Sequence, residues 1–124
     1  MIDHLSVGTT DYASAVAFYR AALAPLGLGL QRDTGQEAGF GTEAQWCFFL
    51  YPLEQGEQPV APKMHIAFGA PSRAAVERAH VLALASGAQE VRAPGLRPDI
   101  SATYFGAIFT DLDGHKIEVL TNAA

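Results

Sequence analysis

The sequence contains an internal repeat, in which a short strand pattern recurs after 61 residues. Residues 3–8 (DHLSVG) and residues 64–69 (MHIAFG) both alternate between small or polar side chains and bulky apolar ones. Successive side chains of a strand point to opposite faces. Each segment therefore predicts a strand with one histidine, His4 or His65, on its small-residue face. A repeat of this length restricts the chain to folds built from two similar modules.

A helix is predicted after each of the two repeated strands. Asp11 and Ser72 are suitable N-caps, because their side-chain oxygens can accept hydrogen bonds from the free amides of the first turn. Apolar residues follow both caps at helical spacing, and the two patterns end at residues 25–27 (PLG) and at Gly87. The tripeptide Ala-Leu-Ala recurs inside both helices with the same offset.

Three short segments with strand character follow each helix. They are residues 28–33, 37–42 and 46–51 in the first half, and residues 89–93, 103–110 and 115–121 in the second half. Asp113 and Gly114 form a hairpin turn signal, and a loop rich in proline and glycine covers residues 93–101. We therefore predict one α+β domain with module 1 at residues 1–52, a linker at 53–62 and module 2 at 63–124.

The composition favours a globular protein that binds small molecules. An apolar fraction of 49% fits a packed core, and no apolar run is long enough to span a bilayer. The net charge of −5, with the basic residues scattered along the chain, predicts no nucleic-acid partner. The single cysteine, Cys47, cannot form an internal disulfide, and the N-terminus lacks the pattern of a secretory signal. We expect a cytoplasmic protein with no membrane partner.

The repeat and the last hairpin resemble the vicinal-oxygen-chelate superfamily of glyoxalases, bleomycin-resistance proteins, fosfomycin-resistance proteins and extradiol dioxygenases. The resemblance lies in residues 3–20 and in residues 104–119 (YFGAIFTDLDGHKIEV), where an Asp-Gly turn leads into a strand bearing Glu118. It implies two βαβββ modules that form a cupped, partly open mixed β-sheet barrel with the helices outside. It also implies that the first strands of the modules pair near the centre of the cup, and it favours a homodimer.

The resemblance further implies a metal site. In metal-dependent members the ligands come from the first and last strands of each module, which correspond here to His4, His65 and Glu118. Matching the last strands of the two modules places Phe49 at the fourth position, and phenylalanine cannot donate to a metal. The implied cofactor is thus a divalent ion (Zn, Fe, Mn or Ni) held by three residues, and activity of the glyoxalase I type is disfavoured.

The substrate would contact side chains around this site. Aromatic residues predicted to line the cup are Trp46, Phe49, Tyr51 and Tyr104, and Arg97 is placed to meet an anionic group. No residue is assigned as catalytic. His80 and His115 are expected to be structural or exposed, and Cys47 to serve in packing.

Three functions remain open at this point. The first is a metal-dependent lyase or isomerase, thiol transferase or dioxygenase that acts on a small oxygenated metabolite or xenobiotic. The second is a metal-free binding protein of the bleomycin-resistance type. The third is an interaction domain whose cup has lost its function, which a small or filled pocket with His4 and His65 hydrogen-bonded to each other would indicate. The sequence also leaves open whether the modules pair within one chain or across a swapped dimer.

Overall fold

The computed structural model describes residues 1–124, and its helices and strands follow the predicted order. Module 1 consists of β1 (Leu5–Thr9), α1 (Tyr12–Leu23), a short 3₁₀ turn (Ala24–Leu26), β2 (Gly29–Asp33), β3 (Ala38–Gly41) and β4 (Trp46–Pro52). Module 2 consists of β5 (His65–Gly69), α2 (Arg73–Ala85), β6 (Gln89–Leu96), β7 (Phe105–Thr110) and β8 (Lys116–Thr121). No helix is both long and apolar enough to cross a membrane.

Each module forms its own four-stranded mixed sheet. The strand orders are β1-β4-β3-β2 and β5-β8-β7-β6, so that the first strand of each module lies at a sheet edge beside the last strand. The β1–β4 and β5–β8 pairs are parallel, and the other pairs are antiparallel. The α+β class and the two βαβββ modules are confirmed, and the sheets are not closed into a barrel.

The helix ends lie where the capping residues predict them. The Asp11 carboxylate accepts a hydrogen bond from the Ser14 amide, and the Ser72 hydroxyl accepts one from the Ala75 amide. The first helix ends through the 3₁₀ turn at Gly27, whose φ of 78° is left-handed and therefore suits glycine.

One strand differs from its prediction. Strand β6 continues to Leu96, although the sequence predicted that residues 93–101 form a loop. The pairing of β6 with β7 shifts register twice, and one shift lies between Arg92 and Gly95. Such irregularities let an edge strand accept proline, because the missing amide is not needed in the ladder there. The other strand ends lie within two residues of their predicted positions.

The two modules share one hydrophobic core. Helix α1 packs against α2, and the Phe18 ring of α1 lies edge-on to Phe109 of β7, with centroids 6.2 Å apart. Phe48 of β4 and Phe68 of β5 form a second contact between modules, with ring centroids 5.4 Å apart. A cluster of 22 buried residues from both halves results.

The expectation that β1 and β5 pair is wrong for the single chain. Strand β1 bonds only to β4, and β5 only to β8. The apolar faces of both sheets are buried against the helices, which leaves the edges of β1 and β5 on either side of an apolar groove of about 350 Å³. The opposite faces, with the exposed residues Ser6, His65 and Ala67, point outward. We call these two outward faces the cup faces.

Candidate functional site

Strand register relates the two cup faces to each other. Ser6 of β1 pairs with Phe49 of β4, and Ala67 of β5 pairs with Glu118 of β8. Because Ser6 and Ala67 are 61 residues apart, Phe49 and Glu118 occupy equivalent positions of the repeat. One cup face thus carries a carboxylate where the other carries an aromatic ring.

Glu118 is the centre of a polar group on the second cup face. Its side chain is only 8% exposed, and the His65 Nε2 atom lies 3.0 Å from its Oε1. The Tyr104 hydroxyl donates to its Oε2 at 2.5 Å. Gly106 provides the space, since a Cβ atom there would lie 3.3 Å from Glu118 Oε2. A buried carboxylate with a partner on each oxygen is held in one orientation.

Tyr104 and Arg97 belong to the loop that joins β6 to β7. The Arg97 amide donates to the Tyr104 carbonyl at 2.8 Å, which closes this loop. Burial, together with the hydrogen bond to Glu118, raises the pKa of Tyr104 to about 12, so the phenol keeps its proton. The Arg97 guanidinium binds Asp99 through two nitrogens, at 3.0 and 2.8 Å. An anionic ligand would have to compete with Asp99 for this group.

The first cup face is aromatic. The His4 and Phe49 rings lie edge to face, with centroids 5.4 Å apart. Phe49 and Trp46 both lie over Gly39, where an added Cβ atom would be 3.0 Å from the Phe49 ring and 3.5 Å from the Trp46 ring. Tyr51, which is 38% exposed, donates from its hydroxyl to Glu37 at 2.7 Å.

His4 is separate from the His65–Glu118 pair in the single chain. Its Nδ1 atom lies 2.7 Å from Asp3 Oδ1, and His4 belongs to no group of three ligand atoms within 4.8 Å of one another. An interaction domain without a functional cup was expected to have a hydrogen bond between His4 and His65. No such bond forms, since His4 bonds Asp3 and His65 bonds Glu118. The structure therefore brings together two of the three predicted metal ligands.

A second cluster joins Asp111, Asp113 and His115, whose possible ligand atoms lie within 4.8 Å of one another. His115 Nδ1 lies 2.6 Å from Asp111 Oδ2, and Nε2 lies 2.7 Å from the Pro59 carbonyl oxygen. Since a carbonyl and a carboxylate only accept, both ring nitrogens donate and the ring is an imidazolium. Burial opposes this charge, but the hydrogen bond to Asp111, the negative charge of Asp111 and the bond to the Pro59 carbonyl together outweigh it and raise the pKa of His115.

The carboxylates of this cluster are occupied as well. The Tyr19 hydroxyl donates to Asp111 Oδ2, and the amides of Asp113 and His115 donate to Oδ1. Three more hydrogen bonds reach Asp113, one from Thr9 and two from Thr10. A metal ion would find no free lone pair on the imidazole, so we interpret the cluster as a structural link between the modules.

The sequence carried a partial signal for this cluster. Asp111 and His115 flank the predicted hairpin turn at a spacing of four residues, but their contacts with Tyr19 and Pro59 depend on the tertiary fold. His115 is structural, as one of the two expected alternatives stated, and it is fully buried. His80 Nε2 lies 2.8 Å from a Glu90 oxygen. Burial raises the pKa of the Cys47 thiol, which agrees with a packing role.

The fold and the His65–Glu118 pair describe a two-module βαβββ protein with a polar group on one cup face. Residues 1–119 match the family model of the Glyoxalase/Bleomycin resistance protein/Dioxygenase superfamily. The chain belongs to this superfamily, as the resemblance indicated. A search of curated proteins gives no match.

Solved structures agree with this assignment. A glyoxalase/bleomycin resistance protein from Albidiferax ferrireducens T118 is 25% identical, with a TM-score of 0.85 over 96% of this chain and 97% of that chain. A glyoxalase/bleomycin resistance protein/dioxygenase family enzyme from Burkholderia phytofirmans PsJN is 18% identical, with a TM-score of 0.73 over 98% of both chains. The E144Q mutant of glyoxalase I from Zea mays is 21% identical, with a TM-score of 0.72 over 96% of this chain and 46% of that chain. Because the last two structures are only 18% and 21% identical to this chain, their similarity concerns the fold alone.

Proposed function

We propose that the chain is a divalent-metal-dependent enzyme for a small oxygenated metabolite or xenobiotic. The reaction classes that fit are those of lyases or isomerases, thiol transferases and dioxygenases. The observation that carries the proposal is the buried Glu118 carboxylate, whose Oε1 lies 3.0 Å from His65 Nε2 on an outward cup face. The proposed ligands are His4, His65 and Glu118.

The donor chemistry of the pair fits a divalent ion. Imidazole nitrogen with one carboxylate oxygen suits Zn²⁺, Fe²⁺, Mn²⁺ and Ni²⁺. Three protein ligands leave coordination positions open for a substrate with neighbouring oxygens. A bound ion of this kind supplies Lewis acidity, which polarises a carbonyl or lowers the pKa of a water molecule. The Asp111–His115 cluster does not suit a divalent ion in this way, because both ring nitrogens of His115 already donate hydrogen bonds.

The position of His4, the third proposed ligand, supports a homodimer. His4 lies next to β1, whose outer edge has no partner, and β5 has an equally open edge. Open strand edges are normally covered in native proteins. We propose that a second copy brings its first sheet against the second sheet of this chain, so that its His4 approaches the His65–Glu118 pair. Closed symmetry would then give two equivalent sites per dimer.

The remaining candidates would surround the substrate in such a dimer. Trp46, Phe49 and Tyr51 lie on the first sheet and supply an aromatic wall, in which the Tyr51 hydroxyl is bonded to Glu37. Tyr104 and Arg97 come from the second module, next to the pair. We propose that these residues shape the pocket, and that Arg97 exchanges Asp99 for an anionic group of the ligand.

Metal analysis of untagged protein tests the proposal. We expect about one equivalent of a divalent metal per chain, and loss of that metal in His65→Ala and in Glu118→Gln. Asp113→Asn is the matched control, because it alters the other carboxylate cluster and should leave the metal content unchanged. A wild-type protein that stays empty after incubation with Fe²⁺, Mn²⁺, Ni²⁺ and Zn²⁺ would refute the proposal.

A mixing experiment tests where the third ligand comes from. Neither His4→Ala nor His65→Ala should bind metal alone. If sites form between chains, unfolding and refolding the two variants together restores about one quarter of the sites, because only mixed dimers hold one intact ligand set. If the sites form within one chain, the mixture binds no metal.

A metal-free binding protein is the second candidate, and one observation favours it. Phe49 replaces the fourth ligand and joins Trp46 in an aromatic wall over Gly39, which suits the burial of a flat apolar ligand. Tight ligand binding that persists in chelator, without turnover, would support this function over the enzyme.

A further inference from the structure

The two oxygens of Glu118 are divided between two partners. His65 Nε2 faces Oε1 at 3.0 Å, and the Tyr104 hydroxyl donates to Oε2 at 2.5 Å. Tyr104 precedes β7 in the loop from β6, whereas Glu118 lies in the middle of β8. The Tyr104 hydroxyl therefore reaches the Glu118 carboxylate from a loop residue and not from one of the paired strands.

Both sides of this hydrogen bond are fixed by the local structure. The backbone of Tyr104 is held by the bond from the Arg97 amide, and the next residue, Phe105, enters the sheet opposite Thr121. On the carboxylate side, Gly106 leaves just enough room for Oε2, since an added Cβ atom would be 3.3 Å away. The carboxylate cannot rotate freely, because its side chain is 8% exposed.

We infer that Tyr104 is a positioning residue that keeps Oε2 of Glu118 engaged, so that Glu118 presents only Oε1 to an ion beside His65. This inference rests on the proposed metal-dependent function. A carboxylate with two free oxygens can bind an ion through both, whereas a hydrogen-bonded one keeps a single orientation. Outer partners of this kind typically change metal affinity 10- to 100-fold when they are removed.

Tyr104→Phe tests the inference, because it removes the hydroxyl and retains the ring. The matched control is Tyr12→Phe, since the Tyr12 hydroxyl also donates to a carboxylate, Asp33, at 2.6 Å, but at the start of α1. Mn²⁺ and Co²⁺ affinities are measured by calorimetry on metal-free protein, together with the visible spectrum of the Co²⁺ form. Thermal unfolding of the metal-free proteins is recorded in parallel.

We expect Tyr104→Phe to bind both ions about 10- to 100-fold more weakly and to show an altered Co²⁺ spectrum. Tyr12→Phe should keep the wild-type affinity and spectrum. A purely structural tyrosine would lower the unfolding temperature without changing the affinity per folded molecule or the spectrum, and that result overturns the inference while the metal site stands. A wild-type protein that binds neither of these ions, nor Fe²⁺, Ni²⁺ or Zn²⁺, overturns the proposed function as well.

A second variant keeps the test decisive if Tyr104→Phe does not fold. Gly106→Ala retains the phenol but places a methyl group 3.3 Å from Oε2 of Glu118 and 3.1 Å from the Val119 carbonyl oxygen. We expect it to weaken Mn²⁺ and Co²⁺ binding, because Oε2 must shift by a few tenths of an ångström from its bonded position. Unchanged affinities in Gly106→Ala would contradict the positioning role.

Discussion

Replacement of His115 by alanine is expected to be among the most destabilising changes in the chain. The side chain is fully buried, and its two nitrogens bond Asp111 at 2.6 Å and the Pro59 carbonyl at 2.7 Å. Removing one partner of a buried ion pair costs about 3–5 kcal/mol, because the other charge remains buried without compensation. The lost bond to Pro59 is part of the same network and is not added separately.

The expected shift in unfolding temperature follows from the size of the chain. A domain of this length loses about 4 °C for each kcal/mol, so His115→Ala should unfold about 12–20 °C below the wild type. Differential scanning calorimetry in chelator measures this shift without a contribution from bound metal. The matched control is His4→Ala, since His4 also lies 2.7 Å from an aspartate, but in an exposed pair.

The control separates burial from the mere presence of a histidine–aspartate contact. Exposed pairs contribute little, and His4→Ala should leave the unfolding temperature nearly unchanged. A shift of less than about 4 °C for His115→Ala, or equal shifts for both variants, would refute the view that this buried network links the modules.

Three further predictions concern stability. The pKa of His115 is raised and that of Asp111 is lowered. The free energy of unfolding of the wild type should therefore fall as the pH rises above about 6.5, through the folded pKa of His115, and should also fall as the pH drops below about 3.9, through the folded pKa of Asp111. Urea unfolding of His115→Ala against pH should lack the alkaline loss. Gly41→Ala would place a Cβ atom 2.2 Å from the Gln45 carbonyl oxygen and 2.7 Å from the Trp46 Cα. Since backbone atoms cannot move aside, urea unfolding should show that the free energy of unfolding falls by about 2–4 kcal/mol. An unchanged free energy of unfolding would contradict the tight approach of β3 and β4. Asp113→Ala removes the hydrogen bonds from Thr9 and Thr10 that connect the β7–β8 turn to the end of β1. We expect chemical denaturation to show a free energy of unfolding that is lower by about 1–3 kcal/mol. In a double variant with Thr9→Val, the two losses of free energy should be less than additive.

Much of the fold could be predicted because it depends on local patterns. Alternation in β1 and β5, the caps Asp11 and Ser72, and the glycine after α1 each act over a few residues, and the structure confirms them. The equivalence of Phe49 and Glu118 was also predicted, since a repeat transfers register from one module to the other. The end of β6 was missed, because irregular pairing lets an edge strand continue through Pro94.

The site could be predicted only in part. The residue types and the strand positions of His65 and Glu118 were visible in the sequence, but the bond from Tyr104 was not, because it crosses from a loop to a strand 14 residues later. The assembly of His4 with the other two residues stays a prediction. The Asp111–His115 link illustrates the same limit, since its partners Tyr19 and Pro59 are distant in sequence.

The sequence by itself determined which segments form strands and helices, which face of each is apolar, and that the two halves repeat one unit. These properties follow from side-chain periodicity and capping, which act between near neighbours. The tertiary structure decided how the halves meet: α1 and α2 pack together in a shared core, β1 and β5 remain open edges, and both cup faces point outward. Alternation specifies that an apolar face must be buried, but which surface covers it is decided only when distant segments pack.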